Sequence, residues 1–254
     1  MESPIELSNT LNTQVLITTH TPTLAGLLPT NSLRLITNDA GIRNVEPASE
    51  DVLQRIVDTL GLLPDPISKN ARAILLVEGK SDVTFINHTS QKLKEANHIT
   101  HTFDEKNFAI VPIGGCGNLK HWRTLKLAEQ FNIPWCILID SDLGTPEEVK
   151  NTIAINNLKA DGIKAYVTRK REPENYIDLA VLALPAGSMF TFIDTDDAKV
   201  LIGLEKTIRK DNVLDTFWPS MTTEQIRNKE TYLDEGITRF EFTEMFADFL
   251  TLTP

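Results

Sequence analysis

Four short apolar runs mark the middle of the chain, each followed by a segment with helical patterning. Ala73–Val77 precedes a helical pattern over Ser81–Glu95, and Phe108–Ile113 precedes one from about Asn118 to Phe131. Trp135–Ile139 leads into a helix from about Pro146 to Lys159, and Ile163–Thr168 into one from Glu174 to about Ala183. Continuous apolar strands alternating with helices predict an α/β fold, a parallel sheet flanked by helices on both faces. In such sheets, ligands bind in the loops at the carboxyl ends of the strands.

The flanks read differently. Gln14–Thr19 is a further apolar strand ending at His20. Within Asn44–Leu63, Ser49 is a good N-cap, and Leu53, Ile56 and Leu60 fall on one helical face. Pro64-Asp65-Pro66 then breaks the chain. Beyond residue 184 the pattern is mostly helical, with breaks near Pro185-Ala186-Gly187 and Trp218-Pro219. Three regions are expected: 1–66, an α/β domain over 67–184, and a helical region over 185–254.

Composition narrows the class. The chain has 254 residues, 41% hydrophobic and 24% charged, as in ordinary soluble domains. No apolar run approaches the ~20 residues of a membrane span, and the first residues carry no signal-peptide pattern. Cys116 and Cys136 are the only cysteines and are far apart, which argues against a zinc site and for a reduced cytoplasmic setting. The net charge of −10 counts against nucleic-acid binding by charge alone. It is compatible with a carboxylate-rich metal site, which is acidic until its cations bind. Basic residues cluster at Lys159, Lys164, Arg169, Lys170 and Arg171, and again at Lys206, Arg209 and Lys210. Solvated faces account for these as well as phosphate contacts do.

The first apolar run ends in Glu78-Gly79-Lys80-Ser81. A phosphate-binding loop of that ending needs a glycine where Ile74 stands, inside the strand, so the nucleotide reading fails on spacing. A carboxylate site fits better. Glu78 leaves the end of a buried strand, Gly79 allows a sharp turn, and Asp82 sits one helical turn on. An acid in a first turn also suits the helix dipole, which is Asp82's structural alternative. The third run ends in Asp140-Ser141-Asp142, whose two acids alternate around a serine. Acids at two strand ends make a hard-oxygen site suited to Mg²⁺ or Mn²⁺.

Glu78, Gly79 and Asp82 followed by Asp140-Ser141-Asp142 resemble the Toprim domain of topoisomerases, primases and certain nucleases; the resemblance spans about residues 71–180. The glycine-rich turn Pro112–Asn118 fits the same pattern. Arg171-Glu172-Pro173-Glu174-Asn175-Tyr176 resembles a motif of the OLD (overcoming lysogenisation defect) nucleases. That likeness implies Glu174 as a metal ligand, with Glu172 as the competing assignment. The stretch from Val15 to Pro22 resembles the end of an ABC-type ATPase, with His20 at its γ-phosphate-sensing place. No Walker A, Walker B or ABC signature precedes it, so the chain is expected to be the C-terminal part of an OLD-type protein, or one half of a split one.

The resemblance implies a divalent-metal-dependent DNA endonuclease using two ions of Mg²⁺ or Mn²⁺. Glu78, Asp82, Asp140, Asp142 and Glu174 are the expected ligands. Glu78, Asp140 and a late lysine are the expected catalytic groups; Lys229 is the first choice for that lysine, with Lys206 and Lys210 open. DNA and an ABC-type ATPase half are the expected partners, with room for a homodimer of the full-length protein and no membrane. Two other readings stand beside it. A topoisomerase or primase relative would need a tyrosine nucleophile or a zinc region, and neither is evident. A non-catalytic DNA-binding or dimerisation module would hold a structural ion and leave DNA intact.

Overall fold

The computed structural model describes residues 34–39, 42–47, 71–113 and 134–253, together with Leu16 and Thr18. The chain divides into two compact units, residues 1–67 with 121–127, and residues 68–120 with 128–254. In the first, β1 (Arg34–Asp39) pairs antiparallel with β2 (Ile42–Pro47). This hairpin was not read from the sequence, and β2 takes in the first residues of the segment expected to turn helical. Apart from Leu16 and Thr18, the expected strand at Gln14–Thr19 lies outside the described residues, as do His20, the helix from Ser49, the Gly114–Asn118 turn and the helix over 118–131.

The second unit holds a four-stranded parallel sheet in the order β4-β3-β5-β6. Its strands are β3 (Ala73–Val77), β4 (Phe108–Pro112), β5 (Trp135–Ile139) and β6 (Lys164–Val167). All four coincide with the apolar runs within one residue at each end. β3 is central and buried along its whole length, which is why its sequence is continuously apolar rather than alternating. Chain order and sheet order part company beside β3: β4 lies on one side of it and β5 on the other. The switch point of the sheet is therefore between β3 and β5, where α/β folds place their ligands.

Helix α1 (Ser81–Glu95) follows β3, and α2 (Glu147–Ala160) follows β5, both as the periodicity predicts. The helix expected from Glu174 to Ala183 does not form. Two 3₁₀ turns, Pro173–Tyr176 and Leu179–Leu182, replace it, separated by extended backbone at Ile177 and Asp178. Tertiary bonds override the local pattern. Asn175 accepts from the Glu172 N–H (3.2 Å) and donates to the carbonyls of Ile193 (2.8 Å) and Asp196 (3.1 Å). Asp178 caps the second turn by accepting from the Ala180 N–H at 2.9 Å.

Beyond the turns come α3 (Ala198–Lys206), α4 (Val213–Phe217), α5 (Thr223–Glu230) and α6 (Glu241–Leu250). The breaks at Pro185–Gly187 and Trp218-Pro219 hold, the latter as a 3₁₀ turn over Trp218–Ser220. The helical expectation missed a second hairpin, β7 (Thr231–Asp234) with β8 (Ile237–Phe240). Its two-residue loop, Glu235-Gly236, has φ of 49° and 83°. Positive φ at both positions is what a type I′ hairpin turn requires, and glycine supplies one of them without strain.

An aromatic cluster joins these helices to the sheet. The Phe85 ring on α1 lies 4.8 Å from Trp218 and 5.0 Å edge-on from Phe242 of α6, and Tyr176 lies 4.7 Å from Phe242. All four side chains are fully buried. The Trp218 indole N–H donates to the Thr89 hydroxyl at 3.0 Å. The cluster fixes α1, one turn from Asp82, against the turn that bears Glu174. Truncating Phe85 or Trp218 to alanine should cost about 3–5 kcal/mol, the range for large buried aromatics. Chemical denaturation of each variant beside the parent chain measures it, and a loss below 1 kcal/mol would show that the cluster does not carry this part of the core.

Candidate metal centre

β3 and β5 run side by side, with Leu76 opposite Ile137. That register delivers Glu78 and Asp140 to adjacent strand ends. The Asp140 N–H donates to Glu78 Oε2 at 3.4 Å. Asp82 turns back from α1 toward the same place, its Oδ2 accepting from the Gly79 N–H at 2.7 Å. Gly79 sits at the sharp turn between them, and a Cβ there would meet Asp82 Oδ2 at 3.8 Å, an ordinary contact.

Ser141, between the two acids, is a fastening. Its N–H donates to Thr168 Oγ1 (3.0 Å), and its hydroxyl donates to the Lys170 carbonyl (2.7 Å). Thr168 Oγ1 donates to the same carbonyl. The serine thus ties the end of β5 to the segment after β6, which leads to Glu174. Asp142 adopts a left-handed backbone, φ 52°. Its Oδ2 accepts from Asn151 Nδ2 at 2.9 Å, and the same amide donates to the Asp140 carbonyl at 3.1 Å. Asp142 is thus engaged by α2 through Asn151.

The two acids of the Arg171–Tyr176 stretch have different surroundings. Glu172 is buried and paired with Lys199 of α3, Nζ to Oε2 at 2.7 Å. Glu174 is buried too, and its pKa is pushed up to about 8, by burial first and by the Glu172 charge second. Asp82 is raised to about 6, mainly by burial, with the Gly79 hydrogen bond opposing and Glu78 adding to the shift. Asp140 is pushed well above the carboxylate range by burial and then by Asp82, Glu78 and Glu174. Glu78, Asp82, Asp140 and Glu174 therefore act on one another electrostatically, which sequence spacing alone could only suggest.

Lys199 is the cation of this field. It draws down the pKa of Asp82, Asp140 and Glu174. Burial pulls its own pKa down, but Glu172, Glu174 and Asp140 outweigh that and hold it above its usual value. Sequence reasoning missed this residue and singled out Lys229. Lys229 lies in the last turn of α5 and forms a loose ion pair with Asp178 at 3.6 Å. It also lowers the pKa of Lys170, after burial and alongside Arg169. Lys206 ends α3 and Lys210 follows shortly after it.

Among the described residues, no three Asp, Glu, His or Cys side chains stand in the tight grouping that holds an ion. The donor set nonetheless suits a hard divalent cation: oxygen ligands only, and a mutual repulsion that a cation would relieve. Glu78, Asp82, Asp140 and Glu174 are the acids that could supply such ligands, and Asp142 could join only by releasing Asn151. No helix among the described residues is long and apolar enough to cross a membrane.

The four-stranded parallel sheet with its flanking helices is consistent with a Toprim-type α/β fold. Residues 71–142 match the family described as Overcoming lysogenization defect protein-like, TOPRIM domain, in accord with the resemblance read from the sequence. No protein of curated function matches the chain. Among solved structures, the C-terminal region of the Burkholderia pseudomallei OLD protein aligns at 13% identity with a TM-score of 0.46, covering 71% of this chain and 97% of that one. The C-terminal region of the Xanthomonas campestris pv. campestris OLD protein aligns at 19% identity and 0.43, covering 72% and 95%.

The raised carboxylate pKa values set a pH dependence. A carboxyl group whose folded pKa lies above its unfolded value binds more protons in the native state, so stability falls as pH rises between the two. For Glu174 that window runs from 4.5 to about 8. In EDTA, the chain should melt at progressively lower temperature from pH 5 to pH 8. Glu174→Gln should raise the melting temperature at pH 8 by about 2–4 °C or more, the equivalent of ~1 kcal/mol in a domain of this size, and leave it unchanged near pH 4. Calorimetric scans at the two pH values check this; an equal shift at both would mean that the charge of Glu174 is not the cause.

Proposed function

We propose that this chain is the nuclease part of an OLD-type protein and hydrolyses phosphodiester bonds in DNA with divalent cations. The observation that carries the reading is the convergence of Glu78, Asp82, Asp140 and Glu174 on the carboxyl end of a parallel sheet, with three of their pKa values raised by burial and by one another. Buried acids gathered in this way favour a functional or cation-binding site, because holding like charges together costs stability.

Glu78, Asp82, Asp140, Asp142 and Glu174 would hold Mg²⁺ or Mn²⁺, two ions being expected. When bound, the cations supply a nucleophile at neutral pH and stabilise charge on the reacting phosphate. The chain's own part is to fix the oxygen ligands. Ser141 clamps the β5 end to the segment after β6, and the Gly79 amide holds Asp82. Lys229 is the proposed group that meets charge developing on the phosphate. Its helix packs against the turn that carries Glu174. Lys206 and Lys210 are its alternatives. Cation charge would also let DNA approach a chain of net charge −10. An ABC-type ATPase half is the proposed partner, and the cytoplasm the proposed setting.

The test is nicking and linearisation of plasmid DNA by this chain with Mg²⁺, Mn²⁺, Ca²⁺ or EDTA, with Asp140→Ala in parallel. Cleavage should need Mg²⁺ or Mn²⁺ and fall on the order of 100-fold or more in the variant. Cleavage that persists in EDTA, or that Asp140→Ala leaves intact, would end the reading. A bound cation with DNA left whole would instead point to the metal-stabilised binding module.

A further inference from the structure

Glu172 is a further buried acid of this neighbourhood. Its side chain is 4% exposed. Oε2 pairs with the Lys199 ammonium at 2.7 Å, and Oε1 accepts from the Lys199 backbone N–H at 2.9 Å. Both carboxylate oxygens are thus bonded to Lys199. Lys199 itself is anchored. Asp197 caps α3 by accepting from the Val200 N–H at 3.1 Å and is paired with Arg171 at 3.2 Å. Asn175 holds the Asp196 carbonyl. The strap entering α3 is packed against the Asp140–Gly144 turn as well: a Cβ on Gly144 would meet the Thr195 side chain at 3.1 Å.

Glu172 therefore sits two residues from Glu174, inside the reach of the acid cluster, yet is captured from the side by a fastened lysine. We propose that Lys199 is a positioning residue: it withholds Glu172 from the cation ligands and acts as a resident counter-ion for the remaining acids. This rests on the metal-site reading above. With Lys199 in place, the ligand set is Glu78, Asp82, Asp140 and Glu174 with Asp142 in reserve. Without it, the Glu172 carboxylate is released beside Glu174 and becomes an additional ligand. Divalent affinity follows the number of carboxylate ligands, so the lysine sets affinity below its attainable maximum and keeps the charge of the cluster tolerable when no cation is bound.

The experiment is calorimetric titration of the full chain with Mn²⁺, with metal-free thermal melting alongside. Lys199→Met should bind Mn²⁺ about tenfold more tightly than the parent, while its metal-free melting temperature falls, because a buried carboxylate has lost its partner. Lys199→Met combined with Glu172→Gln should return the affinity to within about threefold of the parent, because the gained ligand is gone. Unchanged or weaker binding by a folded Lys199→Met would overturn the proposal. Should that variant not fold, Glu172→Gln decides alone, since its amide oxygen can still accept from Lys199. Affinity within about threefold of the parent supports a withheld Glu172, and a loss of tenfold or more shows that Glu172 is already a ligand and overturns it. Asp140→Asn separates the two layers. If the parent binds no Mn²⁺, or Asp140→Asn binds as the parent does, the metal-site reading fails and the proposal with it. If binding depends on Asp140 and ignores Lys199, the proposal alone fails.

Discussion

Glu78, Asp82, Asp140 and Glu174 repel one another where water shields them poorly, and the architecture around them is what keeps them together. Two of the four leave the ends of neighbouring parallel strands, whose hydrogen-bonded register leaves little freedom to drift apart. A third is held by a helix that is locked into the aromatic cluster one turn further on, through Phe85. The fourth rides on a 3₁₀ turn that Asn175 and Tyr176 pin from both sides. The Tyr176 hydroxyl donates to Glu241 of α6 and accepts from the Lys170 N–H at 2.9 Å. The electrostatic cost of the site is therefore met by packing some distance from it. Aromatic burial and strand pairing are strong enough to impose a placement that the charges alone would reject.

The same logic explains why the helical region shares a core with the sheet. Trp218, Phe242, Phe246 and Phe249 pack into one continuous cluster with residues of β3, α1 and β5. At the sheet edge, Lys164 of β6 reaches the Asp248 carboxylate and carbonyl in α6, and Tyr166 donates to Asp248 as well. These bonds hold α6 to the strand that leads into the Arg169–Tyr176 stretch.

Much of this was legible in the chain. β3, β5 and α1 fall where the hydrophobic pattern puts them, because buried parallel strands are written as uninterrupted apolar runs. Glu78 and Asp140 were found because each follows such a run directly, Asp82 because it lies one helical turn on, and Glu174 through its likeness to the OLD motif. What the pattern could not show is tertiary in origin. The segment from Glu174 has helical periodicity but is dismantled by bonds to Ile193 and Asp196, residues its own window does not contain. The β7–β8 hairpin hides in a polar stretch whose one cue is Glu235-Gly236. Lys199 carries no local signal at all. It matters because the start of α3 is folded onto Glu172, 27 residues earlier in the chain.

The β7–β8 hairpin is bridged at its base. Glu230, fully buried, accepts from Arg227, from the Thr243 hydroxyl and from the Thr243 N–H, so the end of α5 and the start of α6 are joined across the strands between them. The Arg227 guanidinium also lies over the Phe240 ring at 3.5 Å. Past this clasp, Leu233 and Ile237 are exposed and the turn reaches outward. The ribbon is in effect an ornament hung from a closed ring. Its outer part can be lengthened, shortened or made to carry a label while the two helices, Lys229 among their residues, keep their places.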